Sequence, residues 1–347
     1  MSVYTAPTFD EHENILFGID RETGLRAIIA IHNTNLGPAV GGCRMWPYLN
    51  EAAALEDAMR LSRGMTYKSV LAGLPFGGGK LVIIGDARKD KTPTLMRAMG
   101  RIINSVARRY VAAEDIGMTV AEMDEMAKVT KHVTGTGATS GNPSAYTGYG
   151  VFQGIRAAVA HKLDHNDGLV DVQVAIQGLG SVGFDLARRL HQAGARLQVA
   201  DINGDAISRA VEEFGAVPVD IHEVHAADVD VFAPCALGAV INDQSVGELG
   251  TKIVAGSANN QLAEDRHGAE LATRGILYAP DYVINAGCVI EIAHGTDFGG
   301  IHDDAAIFEH LDRIHDTLIE IFERADTEGA VTNFVTDQMA EERFRAA

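Results

Sequence analysis

Short apolar runs alternate along the chain with longer segments in which apolar residues recur every three or four positions. In the first half, the runs at 25–31, 81–84 and 110–113 are short enough for strands. The segments 51–63 and 94–108 carry apolar residues at helical spacing. This mixture predicts an α/β unit in the first half of the chain.

The second half alternates more regularly between the two patterns. Its strand-like runs lie at 172–177, 196–200, 229–233, 253–255 and 276–279, and its helix-like segments lie at 184–193, 206–214 and 310–324. Alternation of this kind predicts a parallel sheet covered by helices on both faces. We therefore expect the α/β fold class, with a doubly wound domain in this half.

Residues 135–150 separate the two halves. This stretch has no charged residue and is rich in glycine, which predicts a loop or hinge. The chain has 347 residues, enough for two domains at roughly 150 residues each. We expect one domain at residues 1–138 and a second that begins at residue 139.

Charge and cysteine content exclude several function classes. The 29 Lys and Arg residues against 47 Asp and Glu residues give a net charge of −18 without a basic run, so we expect no nucleic-acid partner. Three scattered cysteines fit neither a disulfide framework nor a paired zinc site, which favours a reducing compartment. The amino terminus lacks the pattern of a signal peptide, and no apolar stretch reaches the ~20 residues of a membrane span. These features predict a cytoplasmic protein that does not contact a membrane.

A glycine motif stands at the start of the second half's regular alternation. Gly178, Gly180 and Gly183 match G-x-G-x-x-G, with a strand-like run before them and a helix-like segment after them. The first glycine allows a tight turn, the second lets the backbone approach a pyrophosphate, and the third permits close helix–strand packing. We therefore predict a Rossmann domain whose dinucleotide contacts the loop residues Gly178, Leu179, Gly180, Ser181, Val182 and Gly183.

The next strand-like run leads into Asp201. A carboxylate in this place accepts hydrogen bonds from the adenosine ribose hydroxyls and repels a 2′-phosphate. No Arg or Lys stands among the four residues that follow, so the sequence favours NAD over NADP. The alternative is that Asp201 only caps the end of the strand.

Two lysines flank a glycine-rich loop in the first half. Lys68 precedes this loop, and Lys80 directly follows its three glycines. The loop is not a P-loop, since Leu74 stands where the first glycine belongs and Leu81 stands where Ser or Thr holds magnesium. Burial together with a neighbouring ammonium lowers the pKa of a lysine and makes its amine a usable base. On these residues alone, two lysines exposed on the surface are the alternative.

No group of residues has the spacing of a metal site. The stretch His222–His225 has one residue fewer than the H-E-x-x-H pattern needs to place both histidines on one side of a helix. We therefore expect neither a structural nor a catalytic metal.

Six further motifs occur in a fixed order along the chain. They are GPAVGGCRM at 37–45, GGGK at 77–80, AEDIG at 113–117, SGNPS at 140–144, GSANNQ at 256–261 and PDYVINAG at 280–287. Together they resemble the amino-acid dehydrogenases, the Glu/Leu/Phe/Val dehydrogenase family, and most closely its leucine dehydrogenases. The resemblance runs from about residue 15 to about residue 343.

The resemblance implies NAD-dependent oxidative deamination of an L-amino acid to its 2-oxo acid and ammonia. The family's catalytic lysine falls on Lys80, its catalytic aspartate on Asp115 and its carboxylate-binding lysine on Lys68. Other family positions near the substrate and the cofactor fall on Gly41, Gly42, Thr147, Asn259, Asn260 and Asn285.

The fold that the resemblance implies has two domains. A substrate-binding and oligomerisation domain at residues 1–138 also takes back a C-terminal helix at about 326–347. The Rossmann NAD-binding domain occupies residues 139–325, and the active site is expected in the cleft between the two.

The family's side-chain pocket falls on apolar positions, namely Val40, Met65, Ala113, Val289 and Ile292. A glutamate side chain finds no charged partner there, so branched-chain substrates, leucine with valine and isoleucine, fit best. One or two methylenes separate substrates by only about 1–3 kcal/mol, so a phenylalanine- or valine-preferring enzyme stays open. A nucleotide-binding regulator without turnover is the remaining alternative.

Three positions depart from the family pattern. Cys288 stands in place of a second glycine, and Glu291 and His294 add ionisable groups beside the pocket. The family forms homo-oligomers with the help of a longer tail, so dimer, tetramer and octamer all stay open for a chain that ends at residue 347.

Overall fold

The structure of the protein is a computed structural model that describes residues 3–137, 143–165, 168–295, 298 and 302–346. The chain divides into two units, each with its own apolar core. Unit 1 comprises residues 1–141, 292–302 and 340–347, and unit 2 comprises residues 142–291 and 303–339.

Unit 1 is built on a mixed sheet with the strand order β1-β2-β4-β3-β5. The strands are β1 (Asn14–Asp20), β2 (Leu25–Asn33), β3 (Ala39–Trp46), β4 (Gly77–Ile84) and β5 (Tyr110–Glu114), and the helices are α1 (Glu51–Leu71), α2 (Pro93–Ser105) and α3 (Val120–Ala127). β2 pairs antiparallel with both β1 and β4, whereas β3 pairs parallel with β4 and β5. β3 lies between β4 and β5, and the three strands run in the same direction.

Both faces of this sheet are buried. Ile29 and Leu81 point to one face, where they pack in a cluster with Met96 of α2. The alternate residues Ile28 and Val82 point to the other face, where they meet the small side chains of α1. Since successive side chains of a strand point to opposite faces, a strand that is covered twice becomes an almost continuous apolar run.

Unit 2 is a parallel sheet with the strand order β11-β10-β9-β6-β7-β8. Its strands are β6 (Gln173–Gln177), β7 (Arg196–Ala200), β8 (Val217–Pro218), β9 (Val229–Pro234), β10 (Thr251–Val254) and β11 (Leu277–Tyr278). The chain fills one side of the sheet from β6 to β8 and then crosses to β9, which is the Rossmann order. The predicted doubly wound α/β fold is confirmed.

The remaining helices follow the strands of unit 2 or close the chain. They are α4 (Pro143–Leu163), α5 (Ser181–Gln192), α6 (Gly204–Phe214), α7 (Ser245–Glu248), α8 (Arg266–Thr273), α9 (Asp281–Ile284), α10 (Gly287–His294), α11 (Asp304–Glu328) and α12 (Thr332–Arg345). The last residues of α10 and of α12 belong to unit 1. Among the helices that the structure describes, none is long and apolar enough to cross a membrane.

The division of the chain differs from the expected one near the C-terminus. The first break falls between residues 141 and 142, close to the expected 138/139, in a segment outside the described residues. The return into unit 1 begins at Ala340, whereas the resemblance implied about residue 326. The earlier part of α12 stays with unit 2 because the Tyr282 hydroxyl donates a hydrogen bond of 2.5 Å to the Asp337 carboxylate.

Helix α4 begins at Pro143, inside the stretch 135–150 for which the sequence predicts a loop. That prediction is wrong from Pro143 onward, because the glycines there serve helix packing. A Cβ on Gly148 would lie 2.5 Å from the carboxylate of Asp185 in α5, and one on Gly154 would lie 2.3 Å from Ile284 in α9. Residues 138–142 of the same stretch lie outside the described residues.

Candidate active site

A buried lysine–aspartate pair lies at the centre of unit 1. Lys80 belongs to β4 and is 5% exposed, and Asp115 directly follows β5. The Lys80 Nζ donates a hydrogen bond of 2.6 Å to Asp115 Oδ2. The structure therefore excludes the alternative that Lys80 is an exposed surface lysine.

Glycines on the neighbouring strand β3 make room for this pair. A Cβ on Gly42 would lie 2.6 Å from the Cβ of Asp115 and 3.0 Å from the Nζ of Lys80. A Cβ on Gly41 would lie 1.7 Å from the Gly79 carbonyl oxygen, too close for β3 and β4 to pair. The two predicted site glycines thus allow the strands and the two charged side chains to meet.

The glycines before Lys80 lie in strand β4, so the expected glycine-rich loop is wrong. A Cβ on Gly77 would lie 1.9 Å from the Asn33 carbonyl oxygen, and one on Gly78 would lie 2.0 Å from the Thr66 nitrogen. Glycine is normally depleted in strands, but here any side chain would separate β4 from β2 and α1. The close packing of β4 against β2 and α1 therefore outweighs the low strand preference of glycine.

Burial and charge set the protonation of the pair. Burial lowers the pKa of Lys80 below its ordinary value, and the charge of Arg44 lowers it further, against the opposite effect of Asp115. Burial alone would raise the pKa of Asp115, but Lys80 and Arg44 outweigh it and hold this carboxyl ionised. A lysine in this environment reaches its neutral form at a lower pH than a lysine in water.

Arg44 is the site residue that sequence reasoning missed. Its Nε donates a hydrogen bond of 3.0 Å to Asp115 Oδ2, the same oxygen that accepts from Lys80. From the sequence, Lys68 was the expected neighbouring cation of Lys80, whereas the charge that lowers the pKa of Lys80 in the structure is that of Arg44. Arg44 lies in the motif at 37–45, and its place in this motif was the signal that could have identified it as a site residue.

The other predicted substrate positions of unit 1 surround this part of the sheet. Lys68 lies on α1 and is half-buried, as is Met65 one turn earlier. Val40 on β3 and Ala113 on β5 are buried. Ile292, which belongs to unit 1 at the end of α10, is also buried.

The glycine motif of unit 2 forms the turn from β6 into α5. Gly178 has a φ of +101°, which favours glycine, and a Cβ there would lie 2.8 Å from that of Ala236. A Cβ on Gly183 would lie 2.0 Å from the Gly178 carbonyl oxygen, so only glycine lets the helix start this close to the strand. These are the roles that the motif predicts.

Gly180 differs from the other two glycines. It is exposed, and a Cβ built on it would meet nothing within 4 Å. It directly precedes α5, whose first backbone N–H groups are free to bind an anion. The loop borders a cavity of about 570 Å³, lined among others by Ser181, Asn203, Arg188 and Arg209. This open, positively polarised turn fits the pyrophosphate of a dinucleotide.

Asp201 follows β7 and reaches back to the same turn. Its carboxylate accepts hydrogen bonds from the backbone N–H groups of Leu179, at 2.5 Å, and of Asn203, at 2.7 Å. It therefore braces the turn, as the strand-cap alternative expects. Each carboxylate oxygen can still accept a second hydrogen bond, so the ribose role stays compatible with these contacts.

A second polar group in unit 2 contains the predicted asparagines. The Asn285 side-chain amide donates to Asn259 Oδ1 at 2.8 Å and to the Ser257 carbonyl at 3.1 Å. Asn285 is 6% exposed, and its Oδ1 is a buried acceptor without a hydrogen-bond partner in the described part of the chain. An orphaned buried acceptor fits a ligand amide that donates to it.

The remaining predicted positions of unit 2 frame this group. Asn260 is exposed with a φ of +53°, and its carbonyl accepts from the Ala239 N–H at 2.7 Å. Thr147 of α4 is buried, and a Cβ on Gly287 would lie 2.5 Å from its backbone nitrogen. The first residues of α10 therefore pack directly against α4.

The positions that depart from the family pattern lie on α10. Cys288 and His294 are half-buried, as is the predicted pocket residue Val289 on the same helix, whereas Glu291 is 6% exposed. Glu291 is therefore not a solvated helix residue. Its negative charge contributes to the raised pKa of Tyr146, whose main causes are burial and the hydrogen bond to Asp304.

Within the described ranges, no cluster of three or more His, Cys, Asp or Glu residues could hold a metal ion.

Comparisons with known proteins identify the family of this chain. Residues 13–132 match the model of the Glu/Leu/Phe/Val dehydrogenase dimerisation domain, and residues 205–296 match that of the Glutamate/Leucine/Phenylalanine/Valine dehydrogenases. Leucine dehydrogenase of Geobacillus stearothermophilus is 50% identical over 97% of this chain and 91% of its own. Leucine dehydrogenase of Bacillus cereus is 49% identical over 96% of this chain and 91% of its own.

A solved structure extends the likeness to three dimensions. The crystal structure of L-tryptophan dehydrogenase from Nostoc punctiforme matches with a TM-score of 0.86 and 42% identity, over 96% of both chains. Sequence and fold therefore agree, and the chain belongs to the Glu/Leu/Phe/Val dehydrogenase family of amino-acid dehydrogenases.

Proposed function

We propose that the protein catalyses the reversible, NAD-dependent oxidative deamination of branched-chain L-amino acids to the 2-oxo acid, ammonia and NADH. Leucine is the preferred substrate, and valine and isoleucine also react. The observation that carries the proposal is the Lys80–Asp115 pair, a buried lysine and a half-buried carboxylate in contact at 2.6 Å. The leucine dehydrogenases at 49–50% identity support the substrate class.

Lys68 and Asp115 bind the two charged groups of the amino acid. Lys68 pairs with the substrate carboxylate, and Asp115 holds the amino group and takes up its proton. Asp115 suits this role because its carboxyl is ionised at neutral pH. The two contacts fix Cα in one orientation, which is a precondition for fast hydride transfer.

Lys80 acts on the water that releases ammonia. Loss of hydride from Cα leaves an iminium carbon, which water attacks. The neutral amine of Lys80 takes a proton from this water, and the resulting ammonium stabilises the oxygen that forms on the carbon. The C–N bond then breaks: Asp115 returns its proton to the nitrogen, the hydroxyl on the carbon loses its proton to solvent and becomes the carbonyl, and ammonia leaves the 2-oxo acid. The lowered pKa of Lys80 supports this role, because a base needs its unprotonated form at the working pH.

NAD, when bound, supplies the hydride acceptor. The exposed backbone at Gly180 and the start of α5 hold its pyrophosphate, and Asp201 accepts from the adenosine ribose. Thr147, Asn259 and Asn285 would hold the nicotinamide end of the cofactor, and the orphaned Oδ1 of Asn285 would accept a hydrogen bond from its amide. The charge of Asp201 disfavours a 2′-phosphate, so NADP is a poor cofactor.

The pocket for the substrate's side chain determines which amino acid an enzyme of this family prefers. Val40, Ala113 and Ile292 are buried and apolar, which favours an aliphatic side chain. The second candidate is an enzyme that prefers an aromatic amino acid, since the L-tryptophan dehydrogenase of Nostoc punctiforme is 42% identical. Asn260 is assigned to the substrate side of the same site.

We also propose a homo-oligomer that works in the cytoplasm. The match to a dimerisation domain and the exposed side chains of Phe17 and Ile19 on the edge strand β1 support self-association. The free thiols of Cys43, Cys235 and Cys288 support a reducing compartment.

An assay of NADH absorbance at alkaline pH tests the function. L-leucine, L-valine and L-isoleucine should reduce NAD, L-phenylalanine and L-glutamate should react at least ~10-fold more slowly, and NADP should replace NAD poorly. A preference for phenylalanine or tryptophan would favour the second candidate, and a preference for glutamate would contradict both.

Lys80→Ala provides the control for the assigned chemistry. This variant should lose turnover but still bind NADH, as read from nicotinamide fluorescence, because its cofactor residues lie in unit 2. Turnover close to that of the wild type would exclude the base role of Lys80.

A further inference from the structure

Asp115 is held by two cations that come from different strands. Lys80 of β4 and Arg44 of β3 both donate to Oδ2, at 2.6 Å and 3.0 Å. Neither of these two hydrogen bonds uses Oδ1. The carboxylate is therefore clamped at one oxygen, and this fixes the direction in which the other oxygen points.

Arg44 is itself fixed from the opposite side. Its Nη1 donates a hydrogen bond of 3.0 Å to Asp57 Oδ2 on α1, and the Tyr48 hydroxyl donates to the same oxygen at 2.6 Å. Arg60 of α1 donates to the other oxygen, Asp57 Oδ1, at 2.9 Å from a side chain that is 47% exposed. The side chains of Arg44 and Asp57 are each only 16% exposed.

We propose that Arg44 is a positioning residue of the deamination reaction, which orients Asp115 toward the substrate amino group and keeps a positive charge beside Lys80. This inference rests on the proposed function for its catalytic meaning. The planar guanidinium suits the role because it binds two carboxylates at once in a fixed geometry. A flexible ammonium cannot hold Asp57 and Asp115 in the same rigid arrangement.

The charges that act on Lys80 come from every element packed around it. Asp115 follows β5, Arg44 and the thiol of Cys43 lie on β3, and α1 contributes Asp57. The residue opposite Lys80 on β2 is the uncharged Ala30. Among the neighbouring charges with the largest effect, Arg44 favours the neutral amine, whereas Asp115 and Asp57 favour the ammonium.

Removal of the Arg44 charge should therefore change the pKa of Lys80 in one defined direction. Without it, Lys80 holds its proton to a higher pH, so the rising limb of the kcat–pH profile moves toward alkaline pH. Loss of the clamp also lets Asp115 rotate, and a misplaced group near the reacting atoms costs on the order of 100-fold in kcat. A purely structural role would lower activity without moving the limb.

Three variants test this inference. Arg44→Gln should lower kcat on the order of 100-fold and move the rising limb to higher pH. Arg44→Lys should keep the limb near its wild-type position, because the charge is retained, but should still lower kcat. Arg60→Gln is the matched control, since it removes a contact of Asp57 without touching Asp115, and it should change neither quantity.

A second measurement does not depend on turnover. The pH dependence of trace acetylation at Lys80, read by mass spectrometry, follows the unprotonated amine directly, and Arg44→Gln should shift this curve to higher pH. NADH binding in each variant checks that the protein is folded.

An unshifted acetylation curve in Arg44→Gln, or an equal shift in Arg60→Gln, would overturn the inference. A wild-type protein that is inactive with every amino acid would contradict the proposed function, while the acetylation curves would still decide the role of Arg44.

Discussion

Residue 42 is a glycine, and the site depends on its lack of a side chain as much as on the charges around it. The space that a Cβ on Gly42 would fill is taken by the Cβ of Asp115, at 2.6 Å, and the Nζ of Lys80, at 3.0 Å. Gly42→Ala should displace this pair and lower kcat on the order of 100-fold, because the acid and the base lose their mutual geometry. NADH binding, measured by fluorescence, should stay unchanged.

Gly64→Ala is the matched control at this scale. Gly64 lies within α1, and a Cβ there would meet nothing within 4 Å. Alanine should stabilise the helix by about 0.5–1 kcal/mol, measured by urea unfolding, and should leave kcat unchanged. Equal kcat values in Gly42→Ala and the wild type would show that the close approach is not required.

The sequence predicted the role of a site residue only where the partners of that residue are close to it in the chain. The roles of Gly178 and Gly183 follow from their spacing, because the turn and its helix are neighbours in the chain. The role of Arg44 does not, since its partners Asp57 and Asp115 lie 13 and 71 positions away. The register of β3 against β5 brings Arg44 beside Asp115, and the packing of α1 against the sheet adds Asp57.

Among the elements, the segment before β1 depends on a buried histidine. The imidazole Nε2 of His12 lies 3.0 Å from both the Met59 carbonyl oxygen and the Ser62 hydroxyl of α1. Burial lowers the pKa of His12 from 6.5 to about 4, so the folded protein keeps this ring neutral. The ring therefore couples the docking of this segment to pH.

The sign of this coupling follows from proton uptake. Above pH 6.5 the ring is neutral in both states, and its contribution to stability is full. Below pH 6.5 the unfolded chain binds a proton that the folded protein takes up only near pH 4, so the free energy of unfolding falls as the pH drops from 6.5 through 4. The loss amounts to roughly 3 kcal/mol. His12→Gln should flatten this dependence in urea unfolding between pH 7 and pH 4, and a variant with the wild-type slope would exclude His12 as its cause.

Elements rich in glycine were the ones that the sequence misassigned. The pattern predicted β2 and β6 well, because apolar runs report burial directly. It failed for the start of β4 and for α4, because glycine is a poor strand or helix former on its own. In both places glycine is required by a neighbour, such as Asn33 beside Gly77 or Ile284 beside Gly154, that the local sequence does not reveal.

For the whole molecule, alternation of strands and helices was enough to predict the parallel sheet of unit 2, and the glycine motif at its first turn predicted a Rossmann domain. The mixed order of unit 1 was not predictable in the same way. Its strand β3 is inserted between β4 and β5, which follow it in the chain, so the pairing depends on long-range contacts. The two units also keep separate apolar cores, one around Met96 and Leu81 and one around Phe232 and Ile241.

Separate cores have a measurable consequence for the full-length protein. A ligand that binds only the folded state stabilises it by about 2.7 kcal/mol at 100 times its dissociation constant. NADH at that level should slow hydrogen exchange in peptides of β6 and β7 by about 100-fold, whereas peptides of β2 and β4 should change little, as followed by mass spectrometry. NADPH at the same concentration serves as the control and should protect less, because Asp201 disfavours its 2′-phosphate. Equal protection of β2 and β4 by NADH would mean that the two units unfold together, and the stability of the substrate residues would then depend on the cofactor.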